Sequence, residues 1–296
     1  MKRGDSDASG ASATAASTSA KSKPLKRHLT IEYEPKNRAK EPPANWHATW
    51  LELEAMRAKH PAPVDSMGCD SFYDPKEIQK EMPTISTADA ERTARYRVLV
   101  SLMLSSQTKD TENAKAMRRL IDSGKLTVDG IIAIDDDELN TMIHNVGFHN
   151  KKVVYLKKTA QILKDKHAGD VPNTLTDIVA LPGVGYKMAH LLMQAAWGIT
   201  LGISVDTHVH RISARLGWTK NAKSPGDTAD QLESWLPKEH WRRINHSLVG
   251  HGQTICTPLA PKCGECSLFE KKLCKRVGLG SAGVKRKPKE DEEDQS

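Results

Sequence analysis

The chain has 296 residues, of which 38% are hydrophobic, and its 44 lysines and arginines exceed 37 acidic residues to give a formal net charge of +7. No apolar run approaches the roughly 20 residues of a membrane span, and the N-terminus lacks the apolar segment of a signal peptide. These features argue against a membrane-spanning or secreted protein. The positive charge is compatible with an anionic partner, although many soluble proteins carry such charge without using it.

Both ends of the chain have the composition of disordered tails. Residues 1–44 are rich in Ser, Ala, Lys and Pro, and their nine lysines or arginines outnumber five acidic residues. Residues 277–296 are first glycine-rich, then basic, then acidic. Neither tail has enough apolar residues for a packed core. The basic runs Lys23–Arg27 and Lys285–Lys289 indicate either nuclear-localisation segments or solubilising charge, and both interpretations remain open.

Between the tails, the apolar residues recur at helical spacing. Val98–Leu104 is almost continuously apolar and predicts a buried helix. Alternating strand patterns and Asn-Gly hairpin signals are missing from the sequence. We therefore expect an all-α protein of about ten helices. The other apolar faces are Trp50, Leu51, Leu53 and Met56; Val153, Leu156, Ala160 and Leu163; Met188, Leu191, Leu192 and Ala195; Val209, Ile212 and Leu216; and Trp241, Ile244, Leu248 and Val249.

A glycine turn, Leu181-Pro-Gly-Val-Gly185, separates two of these helical patterns. Pro182 ends the first helix, while Gly183 and Gly185 permit positive φ angles and close approach of the backbone to another surface. The next helix begins near Gly185, and the exposed N–H groups at its start can bind a DNA phosphate. The pattern is typical of a helix-hairpin-helix motif, although an ordinary tight turn also contains such glycines.

Lys187 lies on the first turn of the helix that follows this hairpin. A solvated lysine is the commonest outcome at such a position. However, the N-terminal end of a helix is positive and disfavours an ammonium, and a neutral amine is a nucleophile. The position therefore suits covalent chemistry better than it suits helix stability.

Nineteen residues after Lys187, an acidic residue precedes another apolar helical face, in the segment Val205-Asp206-Thr207-His208. Asp206 is well placed to cap that helix, and capping does not exclude a catalytic role for the same carboxylate. His208 and His210 have no clear third ligand for a metal. We therefore favour structural or DNA-facing roles for both histidines.

Four of the five cysteines lie within 19 residues, with the spacing C-x6-C-x2-C-x7-C, and can enclose one metal centre. Disulfides fit poorly because nothing marks the chain as secreted. A zinc site made of four cysteines usually shows two C-x2-C pairs, and this chain has one. A [4Fe–4S] cluster accepts looser spacing, so spacing alone leaves zinc and cluster about equally favoured. The four residues are Cys256, Cys263, Cys266 and Cys274, and the fifth cysteine is Cys69.

Taken together, these motifs resemble the endonuclease III family of DNA glycosylases, in the family's order and over about residues 46–274. The hairpin segment resembles the family's helix-hairpin-helix, with the lysine nucleophile at Lys187, and Asp206 matches its aspartate segment. The resemblance is strongest to eukaryotic members and implies that the four clustered cysteines hold a [4Fe–4S] cluster. One departure is the last cysteine spacing, which has seven intervening residues where the family usually has five.

The resemblance also implies which residues contact DNA. Leu104–Asp110 resembles the segment whose glutamine, here Gln107, enters the space left by a flipped base, and Gly147-Phe148 resembles the loop that wedges into the duplex. The loop that ends at Lys262 would be pinned by the cluster and would present this lysine to a phosphate. The expected DNA contacts are Gln107, Phe148, Gly183, Gly185, Tyr186, His208 and Lys262.

The fold implied by the resemblance is a two-lobed helix-hairpin-helix DNA glycosylase fold with an iron–sulfur cluster loop. A six-helix lobe containing the hairpin would span residues 88–199, and a cluster lobe would join residues 45–87 to residues 200–276. DNA would lie across the cleft between them. The resemblance further suggests a monomer in the nucleus, with the mitochondrion as a second location and the tails as contacts for other repair proteins.

The function implied is that of a bifunctional DNA glycosylase and AP lyase in base excision repair. It would remove oxidised pyrimidines such as thymine glycol from duplex DNA and cut the strand by β-elimination, with Lys187 as nucleophile and Asp206 as the supporting carboxylate. One alternative is an adenine-mismatch glycosylase of the same superfamily, which lacks the lysine nucleophile. Another is a non-catalytic helix-hairpin-helix DNA-binding protein, which the presence of both residues argues against.

Overall fold

The computed structural model describes residues 41–276, and throughout this range the ordered elements are helices. The range contains fourteen α-helices, two 3₁₀ helices and no strand, which confirms the all-α prediction for the described residues. The expected number of about ten helices was too low because helices of one or two turns are too short to show a repeating apolar face. Of the two predicted tails, only residues 41–44 are described, and they precede the first helix.

The α-helices, in chain order, are α1 (Trp46–Lys59), α2 (Pro63–Met67), α3 (Pro75–Glu81), α4 (Thr87–Ser105), α5 (Asp110–Asp122), α6 (Val128–Ala133), α7 (Asp136–Ile143), α8 (His149–Lys166), α9 (Leu175–Val179), α10 (Tyr186–Trp197), α11 (Thr207–Leu216), α12 (Pro225–Glu233), α13 (Lys238–Thr254) and α14 (Ser267–Glu270). The 3₁₀ helices are Cys69–Phe72 and Cys263–Glu265. None of these helices has the length and hydropathy of a membrane span.

The larger hydrophobic core lies between residues 96 and 201 and is built around α4. All residues of Val98–Leu104 are buried, as the apolar run predicted. Helices α5, α8 and α10 pack against α4, while α6 and α7 pack against α8. The hairpin and both loops expected to contact DNA therefore start from helices anchored in one core.

A second core joins the beginning of the described chain to its end. Helix α1 packs against α13 and α14, and α11 packs against α12 and α13. Trp50, Leu53 and Met56 are buried in this core, but Leu51 is exposed, so the face predicted for α1 was wrong at that position. The predicted faces of α11 and α13 are confirmed by the burial of Val209, Ile212, Leu216, Trp241, Ile244, Leu248 and Val249.

The face of α10 that is buried most deeply lies one residue further along the helix than predicted. Met188, Leu191 and Ala195 are only partly buried, although they pack against the same core. This helix is apolar on most of its circumference, so periodicity could not locate the centre of the buried face. Its buried residues are Ala189, Leu192, Met193 and Ala196.

Polar contacts connect the two cores beside α5 and α13. Gln253 Nε2 on α13 donates a hydrogen bond of 2.7 Å to Asp110 Oδ2 at the start of α5, and Gln253 Oε1 accepts one of 3.1 Å from the Val64 amide. The 3₁₀ helix Cys69–Phe72 and α3 pack against α4 of the larger core. The lobe boundaries expected from the sequence remain a prediction.

Candidate catalytic and DNA-binding site

The hairpin turn joins α9 to α10 and is held by its apolar residues. Leu181 and Val184 are buried, and the Val184 amide donates a hydrogen bond of 3.1 Å to the Leu181 carbonyl. Gly183 has a φ of +77°, and a Cβ at this position would lie 2.6 Å from the Tyr155 ring. Gly185 has a φ of −102° and forms the N-cap of α10, with open space where a Cβ would project. Glycine is therefore needed at residue 183 for the turn to form, whereas the space beside residue 185 is free to accept a ligand.

Lys187 lies on the first turn of α10, as the sequence predicted. Its side chain is 46% exposed, and its Nζ lies 3.9 Å from Asp206 Oδ2. This distance is too long for a direct hydrogen bond, but it lies within ion-pair range, so the carboxylate is close enough to interact with positive charge on or beside the amine. Tyr186, at the preceding position, is 71% exposed and faces solvent beside the hairpin.

Asp206 is the N-cap of α11, and its two carboxylate oxygens have different neighbours. Oδ1 accepts a hydrogen bond of 2.8 Å from the Val209 amide, whereas Oδ2 faces Lys187. The side chain is only 14% exposed. The capping role is thus present in the structure, and the second oxygen is left in a position where it can stabilise positive charge next to the lysine.

The two histidines of α11 have different surroundings. His208 is half-buried and accepts a hydrogen bond of 3.2 Å at Nδ1 from Arg211 Nη2. Burial lowers the pKa of His208, so its neutral form is favoured near pH 7. A Cβ at residue 252 would lie 2.3 Å from His208 Nδ1, so Gly252 makes room for this ring. His210 Nδ1 lies 2.6 Å from Thr228 Oγ1, which indicates a structural role for that histidine.

The two side chains expected to enter the duplex lie on adjoining loops. Gln107 and Phe148 are both exposed, and both have left-handed backbones, with φ of 51° and 57°. A Cβ at Gly147 would lie 2.4 Å from the Gln107 carbonyl oxygen, so the loops are in direct backbone contact. Left-handed non-glycine residues are uncommon and cluster at functional sites. The structure therefore brings these two residues together, as the motifs suggested.

The four clustered cysteines line a single cavity, together with apolar residues of α11 and the chain after α13. Each cysteine is half-buried. Burial raises the pKa of the Cys266 thiol to about 11, and the nearby thiols of Cys274 and Cys256 also raise it. Among the described residues, no three His, Cys, Asp or Glu side chains are arranged as a site for a single metal ion. Cys69 is not part of this cavity and packs against the larger core.

Nitrogen donors form hydrogen bonds with sulfur atoms of the cysteine cluster. Arg215 Nη1 donates to Cys256 Sγ at 3.2 Å, and the Arg276 amide donates to Cys274 Sγ at 3.4 Å. Arg215 also donates to the carbonyls of Thr257 and Pro258, at 2.8 Å each. This buried arginine holds the loop that leads to the exposed Lys262. No pattern in the sequence indicated this role, because an arginine on a helix is usually solvated.

The chain is similar to known DNA repair proteins. A family model described as HhH-GPD superfamily base excision DNA repair protein matches residues 100–238. Endonuclease III-like protein 1 of Mus musculus is 47% identical over 233 residues, which cover 78% of this chain and 73% of the relative. The protein of the same name from Gallus gallus is 46% identical over 246 residues, covering 81% of this chain and 83% of the relative.

Two solved structures of endonuclease III on DNA have a similar fold. The trapped covalent intermediate in an estranged-adenine complex has a TM-score of 0.57 at 31% identity, covering 69% of this chain and 93% of that one. The non-covalent DNA complex has a TM-score of 0.58 at 30% identity, and the match covers 68% of this chain and 92% of that one. In both comparisons the matched residues make up most of the solved chain.

Proposed function

The chain belongs to the endonuclease III family of base excision repair DNA glycosylases and AP lyases, and we propose that it releases oxidised pyrimidines such as thymine glycol from duplex DNA with Lys187 as its nucleophile. The observation that carries this proposal is the 3.9 Å separation of Lys187 Nζ and Asp206 Oδ2. Family membership excludes the non-catalytic DNA-binding alternative. The choice of oxidised pyrimidines follows the family resemblance.

In the first step, Lys187 attacks the sugar of a flipped nucleotide. A base inside a duplex cannot be attacked at its sugar, so the nucleotide must first leave the stack. The amine forms a bond to C1′ while the bond from C1′ to the base breaks, and the base departs with the electron pair and takes up a proton. Because the transition state has oxocarbenium character, the Asp206 carboxylate stabilises it and accepts the proton lost by the lysine nitrogen.

In the second step, the Lys187 adduct opens to a Schiff base, which acidifies the C2′ proton. Loss of this proton forms a C2′–C3′ double bond and breaks the bond from C3′ to its oxygen, so the strand is cut on the 3′ side. Water then hydrolyses the Schiff base and restores the free amine. The same residue thus serves for base release and for strand cleavage.

The DNA-binding surface that we propose combines the hairpin, the paired loops and the cysteine loop. The open space at Gly185 and the exposed amides that begin α10 favour a phosphate at the hairpin. Gln107 and Phe148 would fill the gap left by the flipped nucleotide. Tyr186 and Lys262 are exposed on these elements, whereas His208 is half-buried.

The four cysteines fit a [4Fe–4S] cluster by the chemistry of their donors. They line one cavity, and two of their sulfurs already accept N–H hydrogen bonds, as cluster sulfurs commonly do. We propose that Cys256, Cys263, Cys266 and Cys274 hold such a cluster. When bound, it would supply iron–thiolate bonds that cross-link the loop before Lys262, and no step of the reaction passes through it.

An adenine-mismatch glycosylase remains the second candidate, and its lack of a lysine nucleophile is what separates it from this chain.

We further propose a monomer that acts in the nucleus and in the mitochondrion, with the tails as contacts for other repair proteins. The basic runs Lys23–Arg27 and Lys285–Lys289 support the nuclear location, and both lie outside the described residues.

A panel of duplexes tests the substrate proposal. The 296-residue protein is incubated with duplexes that contain thymine glycol opposite adenine, adenine opposite 8-oxoguanine, or no damage. We expect release of thymine glycol together with 3′-side strand cleavage, and no release of the mismatched adenine. Release of adenine without strand cleavage would support the second candidate instead.

A further inference from the structure

Lys152 is a buried lysine that the reaction described above does not use. It lies on the first turn of α8, four residues after Phe148, and its residue is only 5% exposed. Its Nζ donates to the carbonyl oxygens of Leu104 at 2.8 Å and Ser106 at 2.7 Å, and lies 3.4 Å from Thr108 Oγ1. The ammonium thus has three oxygen acceptors in the segment that contains Gln107.

The burial of Lys152 is unfavourable in itself. Removing a cation from water costs free energy unless it is well paired, and burial lowers the pKa of Lys152 to about 8. Two features offset this penalty. The last carbonyls of α4 have no partner within the helix, and the negative C-terminal end of α4 attracts a cation. Lys152 therefore caps α4 at the point where the chain turns toward Gln107.

Two further contacts connect the same loops. The Gly147 amide donates a hydrogen bond of 3.1 Å to Thr108 Oγ1. The Gly147 backbone also lies directly against the carbonyl of Gln107, where a Cβ would be only 2.4 Å from the oxygen. The end of α4 and the start of α8 are thus joined by contacts of Lys152, Thr108 and Gly147.

Packing does not by itself hold the Phe148 side chain in place. The residue is 57% exposed, and on one side it borders a cavity of about 240 Å³ that extends to Tyr155 and Gly183. The backbone of Phe148 is left-handed, which is unfavourable for a bulky residue unless the surroundings impose it. The contacts of Gly147, directly before Phe148, and of Lys152, four residues after it, restrain the backbone on both sides of this residue.

We propose that Lys152 is a positioning residue that locks Gln107 and Phe148 into one rigid two-pronged wedge. This inference rests on the proposed function, in which both side chains fill the gap left by a flipped nucleotide. A wedge that is already ordered before binding avoids the entropy loss of ordering two separate loops on DNA. Lys152 acts through these two side chains and not on the sugar.

Replacement of Lys152 by methionine tests the inference, since methionine has a similar length but cannot donate hydrogen bonds. We expect the single-turnover rate of cleavage at an abasic site in duplex DNA to fall by about 10- to 100-fold, because small misplacements of binding groups have effects of this size. The matched control is Lys158→Met, which removes an exposed lysine from the same helix and should change the rate by less than about twofold. Thermal unfolding verifies that each variant is folded at the assay temperature.

A double-mutant cycle separates positioning from a general structural role. In a Gln107→Ala/Phe148→Ala background the wedge is absent, so Lys152→Met should lower the cleavage rate by less than about twofold further. If the full loss caused by Lys152→Met recurs in that background, Lys152 does not act through the wedge and the inference is wrong. Thr108→Val, which removes the acceptor of the Gly147 amide, provides the same cycle if Lys152→Met does not fold.

The outcomes also distinguish the inference from the function on which it rests. Absence of cleavage by the unmodified protein would refute the proposed function. Full activity of the Gln107→Ala/Phe148→Ala variant would refute the wedge itself. Full activity of folded Lys152→Met, combined with an impaired wedge variant, would overturn the positioning role alone.

Discussion

Asp206 combines two roles that can be separated by two substitutions. One oxygen caps α11 by accepting the Val209 amide at 2.8 Å, and the other faces Lys187 at 3.9 Å. Asp206→Asn keeps a capping oxygen, since Asn caps about as well as Asp, and loses about 0.3–1 kcal/mol from the missing charge at the helix start. Asp206→Ala loses the cap as well, which costs about 1 kcal/mol more.

The two variants should therefore differ in stability but show the same loss of catalytic rate. In both, the loss of the carboxylate should lower the single-turnover rate of thymine glycol release by about 10²- to 10⁴-fold. The melting temperature should fall further for Asp206→Ala than for Asp206→Asn, by about 2–4 °C for each kcal/mol of stability lost. Single-turnover cleavage and thermal unfolding measure these two effects. A fully active Asp206→Asn protein would show that Asp206 is only a cap and would refute this part of the mechanism.

Three further predictions concern the cysteines, the hairpin and the N-terminal tail. The purified protein should be yellow-brown with about four irons per chain. Cys263→Ser should remove the iron, whereas Cys69→Ser should not. Purified protein that contains zinc and no iron would contradict this prediction. Gly183→Ala should lower the free energy of unfolding by at least about 1 kcal/mol because its φ is left-handed, whereas Gly185→Ala should leave stability unchanged and weaken DNA binding in a titration. Deletion of residues 1–44 should leave the single-turnover cleavage rate at saturating enzyme unchanged. It should reduce the slope of log affinity against log salt concentration by about 0.9 for each phosphate that the tail no longer neutralises. A large fall in the cleavage rate would place the segment in the active site.

The features that the sequence predicted well are those with a strong local signal. The apolar run Val98–Leu104 has to be buried whatever surrounds it, and it forms the middle of α4. The glycines of the hairpin indicate a turn by their conformational freedom, and Gly183 indeed has a positive φ. Short helices such as α2 and α9 were not predicted, because five residues cannot show helical periodicity.

Other features depend on contacts between distant segments and have no local signal. Lys152 and Arg215 look like solvated residues of helices, yet both are buried and donate hydrogen bonds to backbone carbonyls of distant loops. The spacing of Lys187 and Asp206 along the chain does not determine the distance between their side chains. That distance follows from packing, in which Ser204 Oγ donates a hydrogen bond of 3.3 Å to the Lys187 carbonyl beside the N-terminus of α11.

Covalent trapping tests the role of Lys187 most directly. Sodium borohydride reduces a Schiff base between the protein and a duplex that contains thymine glycol, which leaves a stable protein–DNA adduct. We expect the unmodified protein to form this adduct, with Lys187 as the modified residue in peptide mass spectrometry, and Lys187→Gln to form none while still binding the duplex. Normal trapping by Lys187→Gln, or an adduct on another residue, would contradict the mechanism.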